Sequence, residues 1–161
     1  MGNVLRVGMA ELKICKAPDA LTTIGLGSCV GICLWDTAAG VGGLAHIMLP
    51  DSTKIRKNDN IYKFADTAID ELISQLISQG ANRYRIKAKI AGGAQMFAYQ
   101  STNNAMCVGQ QNVEAVKEKL KKECIPIMAE DCGGSHGRTI VFYPQTGKLS
   151  IKAFDKPEVI I

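Results

Sequence analysis

The chain has only two histidines, His46 and His136, although it has six cysteines. Catalysis by a cysteine and a histidine acting together therefore has very few candidate pairs. The N-terminal residues also lack the apolar segment of a secretory signal. Arg6 stands where a myristoylation signal requires serine or threonine. From these absences we expect a cytoplasmic protein.

No C-x-x-C spacing occurs among the cysteines, which are irregularly placed. Without a secretory signal, this pattern favours reduced thiols over a disulfide framework. Reduced cysteines are most often small core residues, and that interpretation stays open for each of them. A zinc site is a second open alternative, although its ligands are widely dispersed. Its ligands would be Cys29, Cys33 and His46, with Cys132 or His136 as the fourth.

Low-complexity tracts, repeats and linkers are also missing, and we expect one domain over residues 1–161. Hydrophobic residues make up 47% of the chain and charged residues 21%, as in ordinary globular proteins. The net charge of +4 is mild, and the lysines of residues 117–122 alternate with glutamates as on a solvated helix face. We therefore expect no nucleic-acid binding. An acidic protein partner explains the positive charge equally well.

One long stretch is poor in charge, because Asp36 is the only formally charged residue between positions 29 and 50. A hydropathy window of this length is typical of a transmembrane segment. The polar turn "DTAAG" and several glycines interrupt the stretch, however. Two buried strands explain it better, and we expect no membrane insertion.

Hydrophobic periodicity predicts two main helices. The first contains the apolar residues of "IYKFADTAIDELISQLISQG", with Asp59 or Asn60 as its N-cap and Gly80 in the left-handed position after its end. The second is expected over residues 113–124, capped by Asn112. The first is expected to pack one face on a sheet.

Short β-like runs make up much of the rest of the chain. They lie at residues 4–9, 13–16, 29–35 and 41–49 and in "RIKAKIA", "RTIVFY" and "KLSIKAF", the last two joined by a turn at Gly147. Many strands and two helices without regular βαβ alternation predict an α+β fold. We expect a layered sandwich with a mixed, largely antiparallel sheet.

The segment "SCVGICLWDTAAGVGGLAHIMLP" predicts a hairpin that brings a cysteine and a histidine together. If residues 36–39 form a four-residue loop, Trp35 pairs with Gly40, and the ladder then places Cys29 directly opposite His46. Side chains of opposed residues share one face of the sheet. A slip of one residue would put His46 on the other face, so the prediction depends on the register.

A thiol close to an imidazole has a defined chemistry. The imidazole takes the thiol proton to give a thiolate–imidazolium pair that attacks an amide carbonyl, and it later protonates the departing amine. The glycines of "GLGSC" permit close approach of a substrate, and the N–H groups at Ser28 and Cys29, after Gly27, are candidate oxyanion donors. From the residues alone, a buried core thiol and a satisfied core histidine remain the alternatives.

Two further glycine-rich segments are more simply explained as turns. "AGGAQMF" predicts a turn or bulge at a strand end, and it is not a P-loop because no Gly-Lys-Ser/Thr follows. In "CGGSHGR", Arg138 either binds a carboxylate or caps the turn, and His136 has no evident partner.

These residues belong to a longer ordered set of motifs. The set comprises "TTIGLGSCVGICLWD", "GGLAHIMLP", "KFADTAIDELI", "AKIAGGAQMF", "VGQQN" and "GGSHGR" ahead of "TGKLSIKAF". With these motifs, the chain resembles the CheD family of bacterial and archaeal chemoreceptor glutamine deamidases over residues 12–153.

The resemblance implies an activity and its residues. Cys29 would be the nucleophile, His46 its base, and Thr23 a residue that assists the histidine. The implied reaction converts receptor glutamine side chains to glutamate with release of ammonia, and it extends in principle to glutamyl methyl esters. No metal or organic cofactor is required. The implied fold is akin to the catalytic domain of cytotoxic necrotizing factor toxins.

The resemblance also implies partners: the cytoplasmic helices of chemoreceptors as substrate, and a CheC-type phosphatase as regulator. A non-catalytic adaptor that binds receptors and the phosphatase without turnover is the alternative function. A zinc-stapled interaction module is a third.

Overall fold

The computed structural model describes residues 2–54, 60–96 and 107–161, and within these ranges the chain forms ten strands and two α-helices. The strands are β1 (Val4–Arg6), β2 (Leu12–Lys16), β3 (Ala20–Leu26), β4 (Val30–Asp36), β5 (Val41–Ile47), β6 (Lys87–Gly92), β7 (Ile127–Cys132), β8 (Arg138–Tyr143), β9 (Lys148–Lys152) and β10 (Val159–Ile160). The helices are α1 (Ala65–Ser78) and α2 (Val108–Lys122), with short 3-10 turns at Ser52–Lys54 and Arg83–Arg85.

The strands form two five-stranded sheets. The central sheet has the order β2-β5-β4-β6-β7, and the outer sheet has the order β1-β3-β8-β9-β10. Pairing is antiparallel except between β1 and β3 and between β6 and β7. The predicted α+β class, with two helices and mixed pairing, is confirmed. The two sheets are layers of the predicted sandwich.

Every residue of β4 and β5 is buried, because the two strands are covered on both faces. On one face Val30, Ile32 and Leu34 pack in the core formed with the two helices. On the other face Cys33 and Trp35 pack against the outer sheet. The charge-poor stretch is therefore a buried hairpin, as predicted. None of the described helices is long and apolar enough to cross a membrane.

Both helices begin at residues other than the predicted ones. Helix α1 begins after Phe64, which makes no side-chain capping bond, while Asn60 accepts the N–H of Tyr62 instead. Asp59, the other predicted cap, lies outside the described residues. Gly80 follows the helix with a φ of 104°, as expected. Helix α2 begins at Val108, so Asn112 lies inside it rather than at its cap.

Candidate active site

Thr23, Cys29 and His46 lie between the two sheets. Thr23 belongs to β3 of the outer sheet, His46 to β5 of the central sheet, and Cys29 stands one residue before β4. Their exposed fractions are 0%, 8% and 1%, respectively. Cys29 is part of the apolar cluster between the sheets, and His46 reaches Thr23 across the same space. Cys29 and His46 thus both border the space between the sheets, but no hydrogen bond joins them, because His46 Nε2 has no partner among the described residues.

The predicted register of the β4–β5 hairpin was wrong by two residues. His46 pairs with Gly31, and Asp36 pairs with Val41, so the four-residue loop covers 37–40. The Asp36 carboxylate accepts the N–H groups of Ala38 and Ala39 from the last strand position, which moves the turn one residue along the chain. A shift of two residues preserves which face each side chain occupies.

Gly31 opposite His46 has no side chain, and a Cβ there would press against Ile140 of the outer sheet. Cys29 stands two residues before Gly31 and one before the first ladder residue, Val30, at the position that is diagonal to His46. Diagonal neighbours have Cα atoms about 7–8 Å apart and remain within reach of long side chains.

The hydrogen bonds of Thr23 determine the tautomer of His46. The Thr23 hydroxyl lies 2.7 Å from the carbonyl oxygen of Val7 and 2.7 Å from His46 Nδ1. A carbonyl only accepts and a hydroxyl has one proton, so Thr23 donates to Val7. His46 Nδ1 must then donate to Thr23, and Nε2 carries the lone pair. That buried Nε2 has no partner among the described residues and is available to take a proton.

We predict that Thr23→Val lowers kcat for the proposed deamidation by about 10²-fold, because His46 Nδ1 loses its acceptor and the tautomer is no longer fixed. Thr23→Ser, which retains the hydroxyl, is the matched control and should stay within about threefold of wild type. Equal activities of the two variants in steady-state assays would show that the hydroxyl does not orient His46.

Burial opposes charge on both groups of the pair. It raises the pKa of the Cys29 thiol, an effect reduced by a hydrogen bond from the Cys29 backbone N–H, and it lowers the pKa of His46. The uncharged thiol and uncharged imidazole are therefore favoured in the resting protein. Burial therefore works against the thiolate–imidazolium pair that the sequence suggested, and that pair stays a prediction.

The pH dependence of Cys29 alkylation tests this resting state. Only the thiolate reacts with iodoacetamide, and the thiol pKa is raised, so the rate should climb across the neutral range and level off only above the ordinary pKa of cysteine. Peptide mapping by mass spectrometry assigns the rate to Cys29. A rate that is already level at neutral pH would indicate a preformed ion pair.

A second glycine-rich turn supports the segment that carries Cys29. Gly92, at the end of β6, has a φ of 112°, and a Cβ there would collide with the carbonyl oxygen of Cys29. The N–H of Gly93 donates to that carbonyl at 2.8 Å, and the N–H of Ala94 donates to Gly27 at 2.8 Å. The predicted turn in "AGGAQMF" is confirmed. The sequence did not predict that this turn is hydrogen-bonded to the segment that contains Cys29.

The N–H groups of Ser28 and Cys29 are not committed to other residues. Within the described ranges neither donates to the backbone or side chain of another residue. Gly27 and Ser28 are partly exposed beside them. The Ser28 N–H, and the Cys29 N–H whose bond is to its own sulfur, are the candidate oxyanion donors.

Comparison with known proteins places the chain in a family. The family model described as CheD chemotactic sensory transduction matches residues 48–153. This chain belongs to the CheD family. A protein of Lachnoclostridium phytofermentans named probable chemoreceptor glutamine deamidase CheD is 56% identical over 98% of both chains. A protein of Halalkalibacterium halodurans named chemoreceptor glutamine deamidase CheD is 54% identical over 98% of both chains.

Among solved structures, a protein of Neisseria meningitidis aligns with a TM-score of 0.49 at 9% identity, covering 83% of this chain and 63% of that one. A likeness at that level carries no functional argument, so the sequence relatives alone define the CheD membership.

The remaining candidates of this CheD-family chain are not assembled at the cysteine. Arg138 is buried and contacts Asp131 at 3.3 Å, which fits the predicted carboxylate partner. His136 packs beside Gly134 in the turn before β8. Within the described ranges, no group of three or more His, Cys, Asp or Glu side chains is placed to hold a metal ion. The zinc ligand set considered from the sequence is therefore not brought together.

Asn112 is the residue that sequence reasoning placed incorrectly. Its side chain is fully buried, and Nδ2 donates to the carbonyl oxygens of Ser28 at 2.9 Å and Met48 at 3.0 Å. Asn112 is spaced at helical intervals from Val116 and Leu120, which are buried in α2. This spacing could have indicated a buried, hydrogen-bonded asparagine inside the helix.

Proposed function

We propose that this protein is a chemoreceptor glutamine deamidase that hydrolyses receptor glutamine side chains through a Cys29 thioester. The curated names of relatives that are 54% and 56% identical over nearly the whole chain support the reaction and its substrate. The observation that carries the mechanism is the fixed tautomer of His46, with an unpartnered Nε2 on the face that also holds Cys29.

The first half of the proposed reaction forms the thioester. His46 Nε2 takes the proton of the Cys29 thiol as the sulfur attacks the carboxamide carbon of a glutamine. The negative charge that develops on the carbonyl oxygen is stabilised by the N–H groups of Ser28 and Cys29. The C–N bond then breaks, and the nitrogen leaves as ammonia with the proton returned by His46.

The second half restores the enzyme. A water molecule gives a proton to His46 and attacks the thioester carbonyl, and the C–S bond breaks to leave glutamate. Cys29 regains its proton from the imidazole. The sum is one carboxamide and one water converted to one carboxylic acid and one ammonia. Each turnover replaces a neutral side chain by a negative one, which changes the charge repulsion on a receptor helix bundle and its signalling equilibrium.

The function is tested with the purified protein and the cytoplasmic fragment of a chemoreceptor. We expect mass spectrometry to show Gln→Glu conversion at specific sites, with one ammonia released for each site converted. A fragment in which those glutamines are replaced by asparagine is the matched control, because a shorter amide should not reach the thiol. Tight binding of the fragment without ammonia would support the non-catalytic adaptor instead. A CheC-type phosphatase as regulatory partner stays a prediction from the family resemblance.

A further inference from the structure

Asn112 connects the two segments that carry the proposed nucleophile and base. Its amide Nδ2 donates to the carbonyl of Ser28, the residue before Cys29, and to the carbonyl of Met48, two residues after His46. The last pair of the β4–β5 ladder is Val30 with Ile47. Ser28 and Met48 therefore lie just beyond the end of the ladder, where the Asn112 amide bridges the two chains.

The orientation of this amide is fixed by its partners. Both are carbonyl oxygens, which only accept, so the NH2 group must face them. The Oδ1 atom then points away, and it is buried without a partner among the described residues. A buried, unsatisfied acceptor in a helix interior is unfavourable for stability, and an apolar residue of similar volume would avoid it. The two hydrogen bonds to Ser28 and Met48 explain why this position holds an asparagine, whereas the packing of the helix does not.

The bridge also orients an oxyanion donor. The Ser28 carbonyl and the Cys29 N–H belong to one planar trans peptide, so they point in opposite directions. Holding the Ser28 carbonyl against α2 aims the Cys29 N–H away from that helix. The same N–H lies close to the Cys29 sulfur, where it lowers the pKa of the thiol against the larger effect of burial.

We propose that Asn112 is a positioning residue of the site, which sets the separation of Cys29 from His46 and the direction of the Cys29 N–H. The inference rests on the proposed deamidase function for its kinetic consequences, whereas the bridge itself is a property of the fold. Asn112 touches neither the substrate nor the reacting atoms and acts through the two backbone segments.

Kinetics of Asn112→Ala and Asn112→Asp test the proposal. Alanine removes the bridge, and aspartate replaces the donor by an acceptor that repels both carbonyls at constant size. We expect kcat to fall by about 10²-fold in both variants, with KM changed by less than about threefold, because only groups that act during the reaction are displaced. Val116→Ala is the matched control: this residue is fully buried one turn further along the same helix face and does not bond to Ser28 or Met48.

The control should lose thermal stability but keep kcat within about threefold of wild type. If kcat in the Asn112 variants falls no further than in Val116→Ala at comparable melting temperature, the positioning role is overturned. If neither variant folds well enough for kinetics, Asn112→Leu, which fills the site and buries no charge, gives the same test.

Iodoacetamide alkylation of Cys29 separates failure of this inference from failure of the proposed function. Release of the Ser28 carbonyl should expose the thiol of Cys29, a residue that is only 8% exposed, and accelerate its alkylation by about tenfold in Asn112→Ala, with no change in Val116→Ala. This result needs no receptor, so it decides the matter even if the wild-type protein converts no glutamine. Equal alkylation rates in wild type and Asn112→Ala would contradict the bridge as a positioning device.

Discussion

Replacing Cys29 by alanine is expected to lower the rate of receptor glutamine conversion by about 10⁴-fold or more, because no other group can form the thioester. The side chain is small and the residue is 8% exposed, so the variant should fold. Ammonia release and Gln→Glu conversion, measured on the same receptor fragment with both proteins, check the result. The variant should also trap bound substrate, because binding does not need the sulfur.

Cys33 provides a matched control for this prediction. It lies four residues further along in the same inter-sheet cluster, is 0% exposed, and has a thiol whose pKa is raised by burial. Cys33→Ala should keep activity within about threefold of wild type, apart from a loss of stability. Similar loss of activity in both variants at similar stability would mean that packing, and not thiol chemistry, explains the effect of Cys29→Ala.

The sequence predicted which face of the sheet His46 occupies better than it predicted the register of the hairpin. Period-two alternation decides the face, and a slip of two residues in the hairpin leaves it unchanged. The register itself depends on where the turn closes. Here Asp36 accepts two loop N–H groups, and Gly40 adopts a φ of 69° at the end of the loop. The predicted loop length of four residues was correct. The residue at which the loop starts could not be predicted without knowing that the Asp36 side chain accepts these two N–H groups.

Strand β3 was missed because its identity depends on distant partners. Its residues pair with β1 in parallel and with β8 more than a hundred residues away, and the ladder with β8 is irregular between Thr23 and Leu26. The β-propensity of the residues in "ALTTIGL" does not indicate that the segment pairs with β1 or with β8. Consequently, the family resemblance alone gave Thr23 a role before the structure placed it 2.7 Å from His46.

Strand β7 and the start of α2 were missed for related reasons. The strand "IMAEDC" is only half-buried at the edge of the central sheet, and its acidic residues weaken the β signal. It pairs in parallel with β6, with α2 between them in the chain, and this single βαβ unit is compatible with the expected lack of regular βαβ alternation. Asn112 has the residue type of a cap, but its amide is committed to Ser28 and Met48.

His46→Gln is expected to reduce kcat/KM by about 10³-fold, because glutamine neither accepts the thiol proton nor returns it to ammonia. The amide of glutamine can still bond to Thr23, so the variant preserves packing between the sheets. His136→Gln is the control, since that histidine lies in the turn before β8, and it should remain close to wild type. Equal losses in the two variants would remove His46 from the reaction.

The pH profiles of wild type and His46→Gln give a sharper distinction. Wild-type His46 must be uncharged to accept a proton, and burial lowers its pKa, so kcat/KM should rise below the ordinary histidine pKa and be level at neutral pH. In the variant the thiol must ionise without a base, and its pKa is raised. Residual activity should therefore climb by about tenfold per pH unit across the neutral range. A level profile in the variant, or the same climb in the wild type, would contradict His46 as the base.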